Sequence, residues 1–119
     1  MRHRVKKHLR LSGKDKAHRK SVVRSLITGL FENKSIVTTE KRALAVEPVS
    51  HKLIELVKSG QTDYNKIRAI APEVHTESAS QAILAMADTY KDRKGGYTRI
   101  TPIKYRDGDG ALLVKLELV

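Results

Sequence analysis

Arg93-Lys94-Gly95-Gly96-Tyr97-Thr98-Arg99-Ile100 is the stretch around which the rest of the chain is organised. A helical pattern of apolar residues stops just before it, and an alternating strand pattern starts just after it. Two adjacent glycines let the backbone adopt φ > 0 and let another backbone come close. Three cations flank these glycines, together with Tyr97, which we expect to be exposed. This combination is suited to binding nucleic acid, with the glycine backbone against phosphates and the tyrosine ring stacked on a base or sugar. The same residues also fit a helix stop followed by an ordinary strand start.

The length and the charge of the chain limit the classes of protein to which it can belong. A chain of 119 residues is typical of one domain. Lys and Arg number 24 against 13 Asp and Glu, so the formal net charge is +11. This charge predicts a polyanionic partner, with nucleic acid favoured over an anionic membrane surface. The absence of cysteine excludes disulfides and fits a reducing compartment. No apolar run approaches the ~18 residues of a membrane span, and no apolar stretch follows the basic N-terminus as in a secretory signal.

The first 20 residues hold most of the positive charge. They contain nine Lys or Arg and one Asp, which accounts for +8 of the total +11. Too few aliphatic residues lie there to offset the ordering of an isolated backbone. We therefore predict that residues 1–14 form an extended arm that orders on a polyanion, and that residues 15–119 form one globular domain. The alternative is a solubilising tail, but charges this dense repel one another without a partner. The candidate RNA-binding residues of the arm are Arg2, His3, Arg4, Lys6, Lys7, Arg10 and Lys14.

Residues 15–33 are predicted to form the first helix. Its apolar residues recur on one face with a period of 3.6. They are Val22, Val23, Leu26, Ile27, Leu30 and Phe31. Arg19, Lys20 and Arg24 fall mostly off that face, so the helix is expected to offer one side to a core and another to solvent or phosphate. Its candidate RNA-binding residues are Lys16, His18, Arg19, Lys20 and Arg24.

A short strand and a long helix are predicted next. Residues 35–38 are rich in β-branched side chains, which favours a strand. A helix then runs from about residue 40 to 59, with one of the two preceding threonines as its N-cap and Gly60 as the residue after its C-cap. Pro48 lies inside this helical pattern and removes a backbone donor, so we expect it to kink or interrupt the helix.

The second half of the chain predicts two more helices and two strands. They span about residues 62–71, 76–91, 97–104 and 112–118. In the shorter helix, Tyr64, Ile67 and Ile70 are expected to point inward. The acidic, glycine-rich segment 107–110 predicts a turn between the two strands. The element count predicts an α+β fold, with three to four helices packed on a small three-stranded mixed or antiparallel sheet.

No motif predicts catalysis, a cofactor or a metal site. His75-Thr76-Glu77 has the H-x-E of zinc deaminases, but the partner cysteines are missing. Asp107 and Asp109 suggest calcium, but the twelve-residue loop and its glutamate do not fit before Val119. The acidic residues are spread singly rather than clustered, which argues against an enzyme.

Several stretches, in order and at nearly the family's spacing, resemble the bacterial family of the seventeenth protein of the large ribosomal subunit. These are Met1-Arg2-His3, His18-Arg19-Lys20, Ile36-Val37-Thr38-Thr39, Leu53-Ile54-Glu55-Leu56-Val57-Lys58, residues 93–100, Gly108-Asp109 and Leu116-Glu117-Leu118-Val119. The resemblance covers essentially the whole chain. The arm is one or two residues longer than usual. Residues 42–47 replace a more charged family segment, so RNA contacts from that helix start are not carried over.

The resemblance implies a non-catalytic constituent of the large subunit, bound to 23S ribosomal RNA in the cytoplasm. It implies a place near the exit of the nascent-peptide tunnel, beside the thirty-second large-subunit protein, with no membrane and no small-molecule substrate. From the resemblance and the local chemistry together, the expected RNA-binding residues of the central stretch are Arg93, Lys94, Gly95, Gly96, Tyr97, Thr98 and Arg99.

Two other classes remain as alternatives. A free-standing nucleic-acid-binding regulator would need a basic recognition helix, and the predicted helix 76–91 offers little charge on its outer face before Lys91. A nucleic-acid enzyme would need clustered carboxylates or a general base.

Overall fold

Four helices and a three-stranded antiparallel sheet make up residues 16–119, the part of the chain that the computed structural model describes. The elements are α1 (Lys16–Asn33), β1 (Ser35–Thr39), α2 (Glu40–Lys58), α3 (Asp63–Ile70), one 3₁₀ turn (Ala71–Glu73), α4 (Glu77–Thr89), β2 (Thr98–Tyr105) and β3 (Leu112–Leu118). This confirms the predicted α+β fold. The arm predicted for residues 1–14 lies outside the described residues.

The sheet has the strand order β1-β3-β2, so that β3 is the central strand and both neighbours pair with it antiparallel. Ile36 and Ile100 both lie opposite Leu116, and these three residues face the helices. The register of β2 shifts between Pro102 and Lys104, which marks a bulge near the end of that strand.

The core forms where α1 and α2 cover one face of the sheet and α4 packs against both helices. Ile27, Leu30 and Phe31 are fully buried, which confirms the face predicted for α1. Gly29 lies beside β1, because a Cβ on it would stand 3.4 Å from the Cγ2 atom of Ile36. This distance is an ordinary van der Waals contact, so the helix lies beside the strand at a separation that an alanine would also fit.

Helix α2 begins and ends where predicted, with Thr39 as its N-cap and Ser59 as its C-cap, but it differs from the prediction at Pro48 and in the details of both caps. Pro48 does not interrupt it, since Glu40–Lys58 is one continuous helix whose buried residues lie on both sides of the proline. Thr39 has the extended N-cap conformation, but its side chain makes no cap hydrogen bond. Gly60 does not take a left-handed conformation. The C-cap is Ser59, whose backbone N–H (3.2 Å) and hydroxyl (2.6 Å) both donate to the Leu56 carbonyl.

The inward orientation predicted for two residues of α3 is wrong. Tyr64 is 69% exposed and Ile67 is 46% exposed, whereas Ile70 is fully buried. At 100° per residue, these three side chains fan over about 120° of the helix surface. A helix of eight residues that contacts the body through one side can bury only part of that arc.

Helix α4 begins with a side-chain cap from Thr76. The Thr76 hydroxyl accepts a hydrogen bond from the Ala79 N–H at 3.2 Å. The hydroxyls of Thr76 and Ser78 both donate to Glu32 of α1 at 2.5 Å, and these hydrogen bonds lower the pKa of the Glu32 carboxyl. The start of α4 is thereby fixed to the end of α1.

Candidate RNA interface

Residues 93–99, called the bend below, lead from the end of α4 into the first two residues of β2. The Arg93 N–H donates to the Tyr90 carbonyl at 3.1 Å as the helix ends. Gly96 has φ = 66°, the left-handed conformation that glycine permits in this stretch. A Cβ on Gly95 or Gly96 would meet nothing within 4 Å, and both residues are exposed. Bare backbone therefore faces solvent at the tip of the bend, and no other part of the described chain packs there.

The expected exposure of Tyr97 is wrong. Its residue surface is only 1% exposed. The ring packs edge-on against Tyr90, with ring centres 5.1 Å apart, and against His51 of α2 at 5.3 Å. The Lys58 ammonium lies 5.0 Å from the ring centre, within range of a cation–π interaction. The ring is therefore part of the core and cannot stack on a base in this conformation.

The hydroxyl of Tyr97 ties the bend to α2. It donates to the Oε1 atom of Glu55 and accepts a hydrogen bond from the Lys58 Nζ at 2.7 Å. The same ammonium donates to the Arg93 carbonyl. Sequence reasoning missed these α2 residues because nothing in their local pattern relates them to a bend some 40 residues away.

Thr98 forms a second connection between the bend and α2. Its hydroxyl donates to the Oε2 atom of Glu47 at 3.0 Å and lies 3.2 Å from the Nε2 atom of His51. A hydroxyl has one proton, and a carboxylate can only accept. The threonine proton therefore belongs to the bond with Glu47, and the His51 Nε2–H donates to the threonine oxygen. Thr98 is engaged inside the fold, although the sequence placed it among the RNA-binding candidates.

The three cations of the bend differ in the hydrogen bonds and ion pairs that they make with other described residues. The Nη1 atom of Arg93 donates to the Gly96 carbonyl at 3.2 Å and to the Val119 carbonyl at 2.8 Å, so this arginine closes the bend. Arg99 donates to the Oε1 atom of Glu117 through Nε at 2.8 Å and Nη2 at 2.5 Å, yet its side chain is 60% exposed. Lys94 is exposed and makes no ion pair with any residue in 16–119.

The beginning of α1 forms a separate group of cations. Lys16, His18 and Lys20 are exposed and Arg19 is half-buried. No acidic residue lies in the first turn, so these cations stand at the positive end of the helix dipole. Positive charge there destabilises an isolated helix and favours a bound anion.

Arg24 does not face solvent as the helical pattern suggested. Its Nη2 atom donates to the Val74 carbonyl at 2.8 Å, so the guanidinium joins α1 to the segment after the 3₁₀ turn. Its Nε–H is buried without a partner. We therefore assign Arg24 to the packing of α1.

Within 16–119, no group of three His, Asp or Glu side chains is placed to hold a metal ion. No helix in that part of the chain combines the length and the apolar character needed to cross a lipid bilayer.

Together these features define a small basic α+β protein in which helices cover one face of a three-stranded sheet. The chain belongs to the ribosomal protein L17 family, whose model matches residues 22–119. The chain is 39% identical over 103 residues to the large ribosomal subunit protein bL17 of Desulforudis audaxviator, covering 86% of this chain and 90% of that protein. The bL17 of Hyphomonas neptunium is 38% identical over 120 residues, covering 100% of this chain and 83% of the relative. The bL17 of Lactobacillus helveticus is 41% identical over 121 aligned positions, covering 90% and 95%.

Proposed function

We propose that the protein is a structural, non-catalytic constituent of the large ribosomal subunit and binds 23S ribosomal RNA. The observation that carries this proposal is family membership over nearly the whole chain, with relatives that are named as large-subunit proteins and match along most of their own length. The net charge of +11 supports an RNA partner, because neutralising phosphates dominates protein affinity for nucleic acids.

The proposed contacts lie on three parts of the chain. The cations of residues 1–14 and of the first turns of α1 would neutralise phosphates. In the bend, the exposed backbone of Gly95 and Gly96 leaves room for a phosphate or sugar to approach, with Lys94 beside it. Tyr97 would act indirectly, because its hydrogen bonds to α2 fix the position of that backbone.

The subunit setting extends the proposal to neighbours and location. In a bacterial cell the protein would be part of cytoplasmic ribosomes, near the exit of the peptide tunnel. The thirty-second large-subunit protein is the expected protein neighbour. Neither a membrane nor a small-molecule substrate is part of this function.

A free-standing regulator is less well supported than a ribosomal role. The candidate recognition helix α4, Glu77–Thr89, contains no Lys or Arg. Such a helix cannot supply the cationic contacts with which recognition helices approach the phosphates flanking a groove.

The test is co-sedimentation. A tagged copy is produced in a bacterial host, and cell lysate is separated on sucrose gradients into free protein, subunits and whole ribosomes. The tag is expected with large subunits and whole ribosomes, and it should remain there after a moderate salt wash. Recovery at the top of the gradient alone, or with small subunits, would overturn the proposal.

A further inference from the structure

The face of the sheet that points away from the helices carries a second group of cations. Three rows of paired residues cross it from β1 through β3 to β2. These rows are Ser35–Glu117–Arg99, Val37–Lys115–Thr101 and Thr39–Leu113–Lys104. Helices α1 and α2 lie on the opposite face, and Val37 at the centre of this one is 61% exposed. In residues 16–119, this outer face is covered by no element.

Charge on the outer face is unevenly distributed. Arg99, Lys104 and Lys115 stand against one acid, Glu117, so the face has a net positive charge. Glu117 accepts both N–H donors of Arg99 described above, and its Oε2 lies 3.3 Å from the Lys115 ammonium. These two cations lower the pKa of the Glu117 carboxyl, which therefore remains ionised.

The paired cations keep donors for a further partner. An arginine has five N–H donors and a lysine ammonium has three. Two donors of Arg99 and one of Lys115 are directed at Glu117, so most of their donors remain. The carboxylate holds both side chains in place. The two side chains therefore lose less conformational entropy when they bind a further group. Lys104 is exposed and makes no ion pair with a described residue.

We infer that this outer sheet face is a second RNA-binding surface, on which Arg99, Lys115 and Lys104 contact consecutive phosphates. The inference rests on the proposed ribosomal function and adds a surface distinct from the tip of the bend. Residues along a strand rise about 3.3 Å each, so the three cations span roughly 15 Å across β2 and β3. Their net charge favours a polyanion, and RNA is the polyanion that the proposed ribosomal function supplies.

The first test removes charge from the face without changing its shape. The double variant K104Q/K115Q is compared with K52Q/K66Q, which loses the same charge on helices α2 and α3. Binding to protein-free 23S ribosomal RNA from Lactobacillus helveticus is measured between 50 and 200 mM KCl. Each lost phosphate contact reduces the slope of log K against log[salt] by about 0.7 to 0.9. Across this fourfold change in salt, the advantage of the parent over K104Q/K115Q should shrink roughly tenfold. Equal slopes for the two double variants would overturn the inference.

The second test adds an acid at the centre of the face. Thr101 lies opposite Lys115, so T101E creates a cross-strand pair that preserves the fold while it repels phosphate. Q81E, on the exposed side of α4, adds the same charge elsewhere. T101E should bind RNA at least fivefold more weakly than Q81E, with unchanged circular dichroism. If T101E and Q81E bind equally, the face does not contact RNA.

Protection of lysines from chemical acetylation distinguishes RNA from other partners that could cover this face. Lys104 and Lys115 should be protected in the complex with naked RNA, whereas Lys52 should not. Protection in the intact subunit alone would assign the face to a protein, and protection in concentrated protein without RNA would assign it to a second copy. Either result overturns the inference. If the parent protein binds no RNA and does not co-sediment with subunits, the proposed function fails as well. If only the face variants behave like their controls, the inference alone fails.

Discussion

Replacing Tyr97 by Phe should destabilise the protein although it removes one oxygen atom. The ring keeps its contacts with Tyr90 and His51, so the loss is confined to the hydroxyl. The Lys58 ammonium, with a side chain only 16% exposed, loses an acceptor and keeps the Arg93 carbonyl. Hydrogen bonds to charged groups contribute about 1.5–3 kcal/mol, and the more exposed Glu55 recovers part of this from water. We expect a loss of about 1–2 kcal/mol, or roughly 3–10 °C in Tm.

The matched control is Tyr64→Phe, because Tyr64 is exposed on α3 and its hydroxyl bonds to no described residue. That variant should stay within about 0.5 kcal/mol of the parent. Urea unfolding followed by circular dichroism measures both. Unchanged stability of Tyr97→Phe, or an equal loss in both variants, would refute the assignment of Tyr97 as the connection to α2. RNA affinity below the unfolding transition should also fall in Tyr97→Phe and stay unchanged in Tyr64→Phe, because the lost hydrogen bonds fix the backbone of the bend.

Three further outcomes follow from the geometry. Gly96→Val should lower the free energy of unfolding by at least ~1 kcal/mol, because its φ of 66° is strained for a β-branched residue. Gly95→Val should lower it less, since Gly95 has no left-handed φ and its surroundings are open. Thermal melts of both variants check this, and equal losses of stability would contradict it. Asp109 should titrate at a pKa of about 2, below its ordinary 3.8, because its carboxylate accepts hydrogen bonds from the Arg106 guanidinium and the Ala111 N–H. The stability that these bonds contribute is fully present above pH 3.8 and is lost as the pH falls through about 2. Carboxyl NMR should show this midpoint and its rise in Arg106→Gln. If about six cations each neutralise a phosphate, the slope of log K for RNA binding against log[salt] should be roughly −5. Deleting residues 1–14 should make this slope shallower. An unchanged slope would show that the arm does not contact RNA.

Periodicity in the sequence was enough to predict the elements of the fold. The apolar face of α1 and the alternation around Val114 and Leu116 both reflect burial on one side, which repeats along the chain and needs no knowledge of distant residues. The path of α2 through Pro48 was not predictable, because it depends on apolar residues on both sides of the proline being buried together.

The candidate site was harder to predict than the fold, and Tyr97 shows why. Read as part of the following strand, it would share a side with Arg99 and face solvent. The strand begins only at Thr98, however, and the left-handed Gly96 redirects the chain just before it. Strand alternation therefore does not apply to Tyr97. Arg24 is a similar case, because its acceptor is a carbonyl 50 residues further along the chain.

The position of β3 in the sheet has a consequence for the order of events during synthesis. Within residues 16–119, β1 and β2 each pair with β3 alone, and β3 is made after them. Thr39, for example, finds its partner Leu113 only when the ribosome has passed that codon. A nascent chain halted at residue 111 would have all four helices but no strand pair, with the apolar side of β1 unmatched. The sheet therefore forms late, after the entropy cost of closing a long loop has been met, and until then the unpaired edges of β1 are open to association with other chains.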